Sequence, residues 1–315
     1  MSARGLSAHP FAVTFTASSA GNRRARCPLS PLMFLAAIIP LTALNTLPPE
    51  PPPFFGRAGH ALFLNLVADA DPALADARHE PRGDKPFTVS NPTRELLRET
   101  RRAQMFSKSG QPIRAGEQFA WRVTTFDARL SQTVLEKVLP QLPREVRLGA
   151  ARFEVGASIT ARAQHRWAGI SDAHSLWQKW FHETRQVDKQ LALEFASPTA
   201  YRHIHRNMLL PLPEGIFTGY LAAWNAHGAP TLEQDLIAHL AQAVSIRHYQ
   251  LTTTDVNFGA FREAGWLGVC RYTIHSEELA LRRVLHLLAD FAFYCGTGYK
   301  TTQGMGQTRK VSEEV

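Results

Sequence analysis

Apolar positions change period several times along the chain, and each change marks an element. Residues 34–44, FLAAIIPLTAL, read as a buried strand, and the proline-rich LPPEPPPFFG after them reads as an exposed connection. Residues 59–69 carry Leu62, Phe63, Leu66 and Val67 at helical spacing. Asp71 and Pro72 then offer an N-cap and a first-turn proline for a short helix reaching His79. Residues 85–90 (KPFTVS) predict a strand, residues 93–102 form a charged segment, and residues 119–126 around Trp121 and Val123 predict another strand. A helix over 130–139 ended by Pro140 and a long, glycine-interrupted strand over 147–160 complete the set. The order βαββαβ is that of a ferredoxin-like unit.

A second set follows an aromatic helix over 171–181 that holds Leu176, Trp177, Trp180 and Phe181. Residues 190–196 place Leu191, Leu193 and Phe195 on one side and Ala192 and Glu194 on the other, a half-buried strand that Ser197, Pro198 and Thr199 should end. Residues 213–224 are helical around Phe217, Tyr220 and Leu221, with 232–243 extending the helical region. Strands over 244–254 and 266–275 then lead to a last helix. There Leu281, Val284, Leu285, Leu288, Phe291, Ala292 and Cys295 recur every three or four residues, opposite Arg282, Arg283, His286 and Asp290. The expected fold class is α+β: two tandem ferredoxin-like (RRM-like, βαββαβ) domains with a C-terminal glycine-rich loop. The boundaries expected are 33–165 for the first domain, a linker helix at 166–188, and 189–315 for the second, with the loop at 296–306.

Residues 1–32 read as a disordered or non-native extension. No acidic residue precedes Glu50, and Arg4, Arg23, Arg24 and Arg26 stand before the apolar run, which superficially imitates a signal peptide. The charged region is too long for one, and Pro40 interrupts a run too short to span a bilayer, so a membrane partner is not expected.

Composition and charge narrow the partner. The 315 residues carry 35 Lys and Arg against 27 Asp and Glu, with 13 histidines besides, a balance that favours a polyanion. Cys27, Cys270 and Cys295 are far apart and odd in number, which gives neither a disulfide framework nor metal spacing and points to a reducing, cytoplasmic setting. Gly296, Gly298, Gly304 and Gly306, interleaved with Lys300 and Thr301, outline a phosphate-handling loop, since glycine permits positive φ and successive N–H groups can cradle an anion. The P-loop spacing fails, and a helix rather than a strand comes before the glycines, so neither nucleotide fingerprint applies.

The string FAFYCGTGYKTTQGMGQTR, residues 291–309, closely resembles the C-terminal glycine-rich motif of the Cas6 family, CRISPR precursor-RNA endoribonucleases of the RAMP group. GRAGHALFLNLVADADPALADARHE, KPFTVS, LALEFASPT and GWLGVCRYTIH lie in matching order upstream, so the resemblance covers residues 33–310.

The resemblance implies metal-independent cleavage of CRISPR repeat RNA by attack of a ribose 2′-hydroxyl on the adjacent phosphorus, with no cofactor. A type I or type III CRISPR effector complex is the larger assembly it implies. In LADARHEPRGDK, His79 and Lys85 fall on the family's catalytic histidine and lysine positions. The tyrosine of some members falls at Leu64, so either the third role is absent or another group supplies it, for which His60 is the candidate. Gly296, Gly298, Lys300, Thr301, Gly304, Gly306, Arg309 and Lys310 are the residues expected to hold RNA. The competing expectation is a noncatalytic RAMP-type RNA-binding subunit.

Overall fold

A computed structural model describes residues 33–48, 54–74, 85–94, 96, 112–182, 187–204, 206–233, 236 and 243–312. The proposed extension 1–32 and Cys27 lie outside the described residues.

The first sheet is built on β1 (Met33–Ala43). Helix α1 (Gly56–Ala70) follows, then β2 (Phe87–Val89), β3 (Gln118–Thr125), helix α2 (Ala128–Thr133) and the hairpin β4 (Glu145–Leu148) and β5 (Ala151–Val155). Strand order is β2-β3-β1-β5-β4. The apolar run of β1 is buried on both faces. Leu35, Ala37 and Ile39 pack under α1 and α2, while Phe34, Ala36 and Ile38 belong to a core shared with the second unit. Pro40 is tolerated in this central strand because of where its missing donor falls. Its carbonyl accepts from Gly156, so that edge faces the stretch between the two short partner strands and not the continuous ladder with β3.

Three expectations need correction here. Residues 147–160 are not one strand: the chain reverses at Gly149 (φ 60°) and Ala150, and two short strands pair as a hairpin. Pro140 does not end α2 cleanly, since the helix passes through a π turn (Val134–Val138) and then a 3-10 turn (Leu139–Gln141) that contains the proline. The expected linker opens with a strand, β6 (Gly169–Asp172), which extends the first sheet along β1 before helix α3 (Ala173–Phe181) begins. Asp172 caps that helix, accepting from the Ser175 N–H at 2.8 Å.

The second unit comprises β7 (Gln190–Thr199), the hairpin β8 (Tyr201–His203) and β9 (Arg206–Met208), helix α4 (Pro213–His227), β10 (Val244–Asn257), β11 (Arg262–Ile274), helix α5 (Leu279–Cys295) and β12 (Thr308–Val311). Its sheet runs β10-β11-β7-β12. Read by position in each unit, β12-β7-β11-β10 repeats β5-β1-β3-β2, so both units have the same ferredoxin-like wiring. The second unit is complete because a strand, β12, follows the glycines. Strand β7 runs on through Ser197, Pro198 and Thr199, where a turn was expected, because the Pro198 carbonyl still finds a partner in the Gly306 N–H.

Helix α5 sits between the two sheets. Its apolar stripe is buried as the periodicity requires, but its polar side is covered as well, by α3 and by residues 187–188. Asp290 accepts from Lys179 at 2.6 Å and from the Trp180 indole at 2.8 Å. His286, 3% exposed, donates from Nε2 to the Asp188 carbonyl, so its Nδ1 accepts from Lys310. Burial, together with the Lys310 charge, holds its pKa down at about 4. An unfolded chain takes up this proton as pH falls through about 6.5, and the folded chain refuses it until about 4, so stability declines across that window. The expected loss from this group between pH 7 and 4.5 is about 2–3 kcal/mol by urea unfolding, and His286→Gln should remove most of it. An unchanged pH dependence in the variant would refute this account. Among the described residues, no helix is long and apolar enough to cross a membrane.

Candidate functional site

The glycine loop is an internal joint. Gly298 (φ 77°) passes so close to β7 that a Cβ there would lie 2.3 Å from the Ala200 carbonyl oxygen, and one at Gly306 (φ 72°) would lie 2.3 Å from that of Thr297. Much of the loop's donor capacity is used inside the fold. The N–H groups of Thr297, Tyr299, Gln303 and Gly306 go to the carbonyls of Gly306, Ala200, Lys300 and Pro198, and that of Gln307 goes to the Ser197 hydroxyl. Those five amides are therefore committed inside the fold. Gly296, Gly304 and Gly306 are buried, whereas Thr301 and Thr302, in a 3-10 turn (Thr301–Gln303), are half-buried.

That turn meets the first unit. His60, on α1, places Nδ1 3.0 Å from the carbonyl of Thr302, 242 residues away in sequence. A carbonyl only accepts, so Nδ1 carries the proton, and in the neutral ring Nε2 is the basic nitrogen. The ring also stacks on Phe87, the first residue of β2, at 5.5 Å. Lys85 stands two residues before Phe87 and is half-buried. The structure thus gathers His60, the approach to β2 that carries Lys85, and the 3-10 turn of the glycine loop. His79 lies outside the described residues, as does His205, while His203 is exposed on β8. Leu64, the position on which the family tyrosine was expected to fall, is 6% exposed and belongs to the first core.

The cations expected on RNA are less free than the sequence implied. Lys300, itself left-handed (φ 57°), lies 3.9 Å above the Phe261 ring and 4.4 Å above Phe258, with Glu263 at 3.6 Å. Arg309 is paired at 2.6 Å with Glu194, directly across the β12–β7 ladder, and both are buried. Lys310 donates to His286.

Sequence reasoning missed Arg122, which is 1% exposed. Its guanidinium donates to the carbonyls of Trp167 (2.9 Å) and Phe293 (2.7 Å) and to the side-chain oxygen of Gln307 (2.6 Å). Gln307 in turn donates to Thr88, whose hydroxyl passes its proton direction to Thr124 and on to the Tyr294 carbonyl. Two C-terminal carbonyls of α5 are therefore satisfied by β3 of the other unit. The β8–β9 hairpin was missed as well. Arg202 stacks on Tyr299 at 4.3 Å beside a cavity of about 640 Å³ that the hairpin, α4 and residues 295–299 enclose.

Two family descriptions match, one after the other. Residues 34–178 match the CRISPR Cas6 N-terminal domain, and residues 193–308 match CRISPR-associated endoribonuclease Cas6. No curated protein matches. Among solved structures, a Cas6 product complex superposes with a TM-score of 0.70 at 23% identity, over 88% of this chain and 100% of that one. Thermus thermophilus Cas6 gives 0.62 at 23% over 89% and 98%. A RAMP protein described as binding different RNA substrates gives 0.51 at 16% over 88% and 100%. With both halves matched in order, the same strand wiring in each and the glycine loop closing the joint between them, the chain belongs to the Cas6 family.

Proposed function

We propose that this protein cleaves CRISPR repeat RNA within a longer transcript, without a metal, and that the cut falls where α1, the approach to β2 and the glycine loop meet. The observation that carries this reading is the bond from His60 Nδ1 to the Thr302 carbonyl, which joins the expected catalytic region to the expected RNA-holding loop and fixes the tautomer of the histidine. Solved Cas6 structures include a product complex and a substrate-mimic complex, and this chain has their fold.

In the proposed reaction the 2′-oxygen attacks the adjacent phosphorus and the bond from phosphorus to the 5′-oxygen breaks. The upstream fragment keeps a 2′,3′-cyclic phosphate and the downstream fragment leaves with a 5′-hydroxyl. His60 Nε2 takes the 2′-proton, the His79 imidazolium gives a proton to the leaving 5′-oxygen, and Lys85 stabilises the charge on the phosphorane. The internal nucleophile supplies what a metal-bound hydroxide would otherwise provide. Incubation with the repeat RNA of its own array in EDTA should give one cut, abolished by a 2′-deoxy substitution before the scissile phosphate. Tight binding with no cut would leave the noncatalytic RNA-binding reading in its place.

His60 has its own test. Asparagine can reproduce the donor at the Nδ1 position but has no basic nitrogen. His60→Ala and His60→Asn should both lower the cleavage rate by about 10²-fold. A His60→Asn variant with the wild-type rate would reduce His60 to an anchor for Thr302.

A further inference from the structure

A second cavity, of about 400 Å³, opens beside α5 on the opposite edge of the first sheet from β2. Its walls come from both units: Arg162 and β6 from the first, α3 between them, and α5 and β12 from the second. Ile170, Leu35, Thr125 and Phe87 are successive partners across four strands. Three strand spacings, roughly 14 Å, therefore separate Ile170, in its wall, from Phe87, on which His60 stacks.

Its walls carry more positive than negative charge. Arg162, Lys179, Arg309 and Lys310 line it, and Arg122 lies just beneath, with its guanidinium 4.5 Å from the Phe293 ring that forms part of the wall. Against these stand Asp290, which accepts from Lys179 at 2.6 Å and lies 3.9 Å from Lys310, Glu194, which holds Arg309, and Asp172 at the rim, which holds Ser175. Burial above all pulls the Arg122 pKa down to about 9, and repulsion from Arg162 and Arg309 adds to it, as expected where cations crowd one another. The cavity is not purely ionic: Ile170 is 47% exposed, Arg162 lies over the Phe293 ring at 5.0 Å, and Ser171 and Ser175 reach the lining.

We propose that this cavity binds a nucleotide of single-stranded RNA away from the cut. The phosphate would meet Arg162 and Lys179, the base would lie against Ile170 and Phe293, and the ribose would lie near the two serines. Cations at a rim, an apolar surface for a base and hydroxyls within reach are what sequence-tolerant single-strand binding requires. The proposal rests on the reading of this protein as an RNA-processing enzyme, and it gives the RNA a second foothold on both units.

The probe is a fluorescent ten-nucleotide oligouridylate, followed by anisotropy at several salt concentrations. Arg162 and Lys179 are exposed, so Arg162→Gln with Lys179→Gln should fold normally. The double variant should bind about tenfold or more weakly, and its plot of log affinity against log salt should lose about 0.7 from the slope, the share of the one phosphate contacted. Ile170→Ser should weaken binding about threefold with the slope unchanged, since a base contact releases no counterion. Arg147→Gln, one exposed charge on β4, is the control and should change affinity less than about twofold. Unchanged affinity and slope in the double variant would overturn the site. Cleavage of repeat RNA by the wild-type protein separates the two readings. A wild type that cuts while the double variant binds normally overturns this site alone. A wild type that does not cut, with binding lost in the double variant, overturns the nuclease and leaves the site standing.

Discussion

Alanine in place of His79 should lower the rate of repeat-RNA cleavage by about 10²–10⁴-fold while leaving RNA affinity within about threefold of wild type. The magnitude follows from the chemistry. A departing 5′-oxygen needs a proton as its bond to phosphorus breaks, and a positioned imidazolium supplies it. The motif LADARHEPRGDK places His79 at the end of a helical pattern whose first turn, residues 72–74, is helical in the structure. A helix C-terminus favours the imidazolium, the form an acid requires. The pH–rate profile gives a second check: wild type should lose activity as rising pH removes the imidazolium, and the alanine variant should lack that limb. Single-turnover cleavage under saturating protein, read beside a binding isotherm, separates the two effects. Near-normal cleavage would remove His79 from the reaction, and a matching loss of affinity would make it a contact rather than an acid.

Most of the fold was legible because its signals are local. The buried run of β1, the alternation of β7 and the periodicity of α5 each name their element, and the order of elements names the wiring. What escaped was set by contacts distant in sequence. In β3, Phe119, Trp121 and Val123 alternate with Ala120, Arg122 and Thr124, which reads as an apolar face and a wet one. The second face is in fact covered by the end of α5, so Arg122 and Thr124 are buried. The polar side of α5 misleads in the same way, because α3 closes over it. The glycine loop was found by composition, but composition cannot tell glycines that admit a ligand from glycines that admit a neighbouring carbonyl. Here the distances at Gly298 and Gly306 decide for the carbonyl. The meeting of His60 with Thr302 had no sequence signal beyond the two residues' presence in family motifs.

The largest expected effect on stability belongs to Arg122. Arg122→Met keeps a similar apolar stem but leaves the carbonyls of Trp167 and Phe293 and the side-chain oxygen of Gln307 without their donor. Each buried unsatisfied acceptor costs about 1–3 kcal/mol, and part of the total is returned because a desolvated guanidinium no longer has to be buried. A net loss of about 3 kcal/mol is expected by urea unfolding, large for a fold of marginal stability. Arg122→Lys should recover less than half of it, since one ammonium cannot span three acceptors that a planar fork reaches together. Gln307→Met should cost less, about 1–2 kcal/mol, because Arg122 keeps two carbonyls. The double variant should then fall short of the sum by roughly 1 kcal/mol, as groups in one hydrogen-bonded network do. The sum would be reached if the two residues acted independently, and a loss under about 1 kcal/mol for Arg122→Met would show that water or a rotated Gln307 replaces the guanidinium at little cost. Because two of these bonds tie β3 of the first unit to Phe293 of α5 and to Gln307, just past the glycine loop, in the second, the variant should also lose hydrogen-exchange protection at the end of α5 ahead of global unfolding. That order of events is what an interdomain joint predicts and a merely local core contact does not.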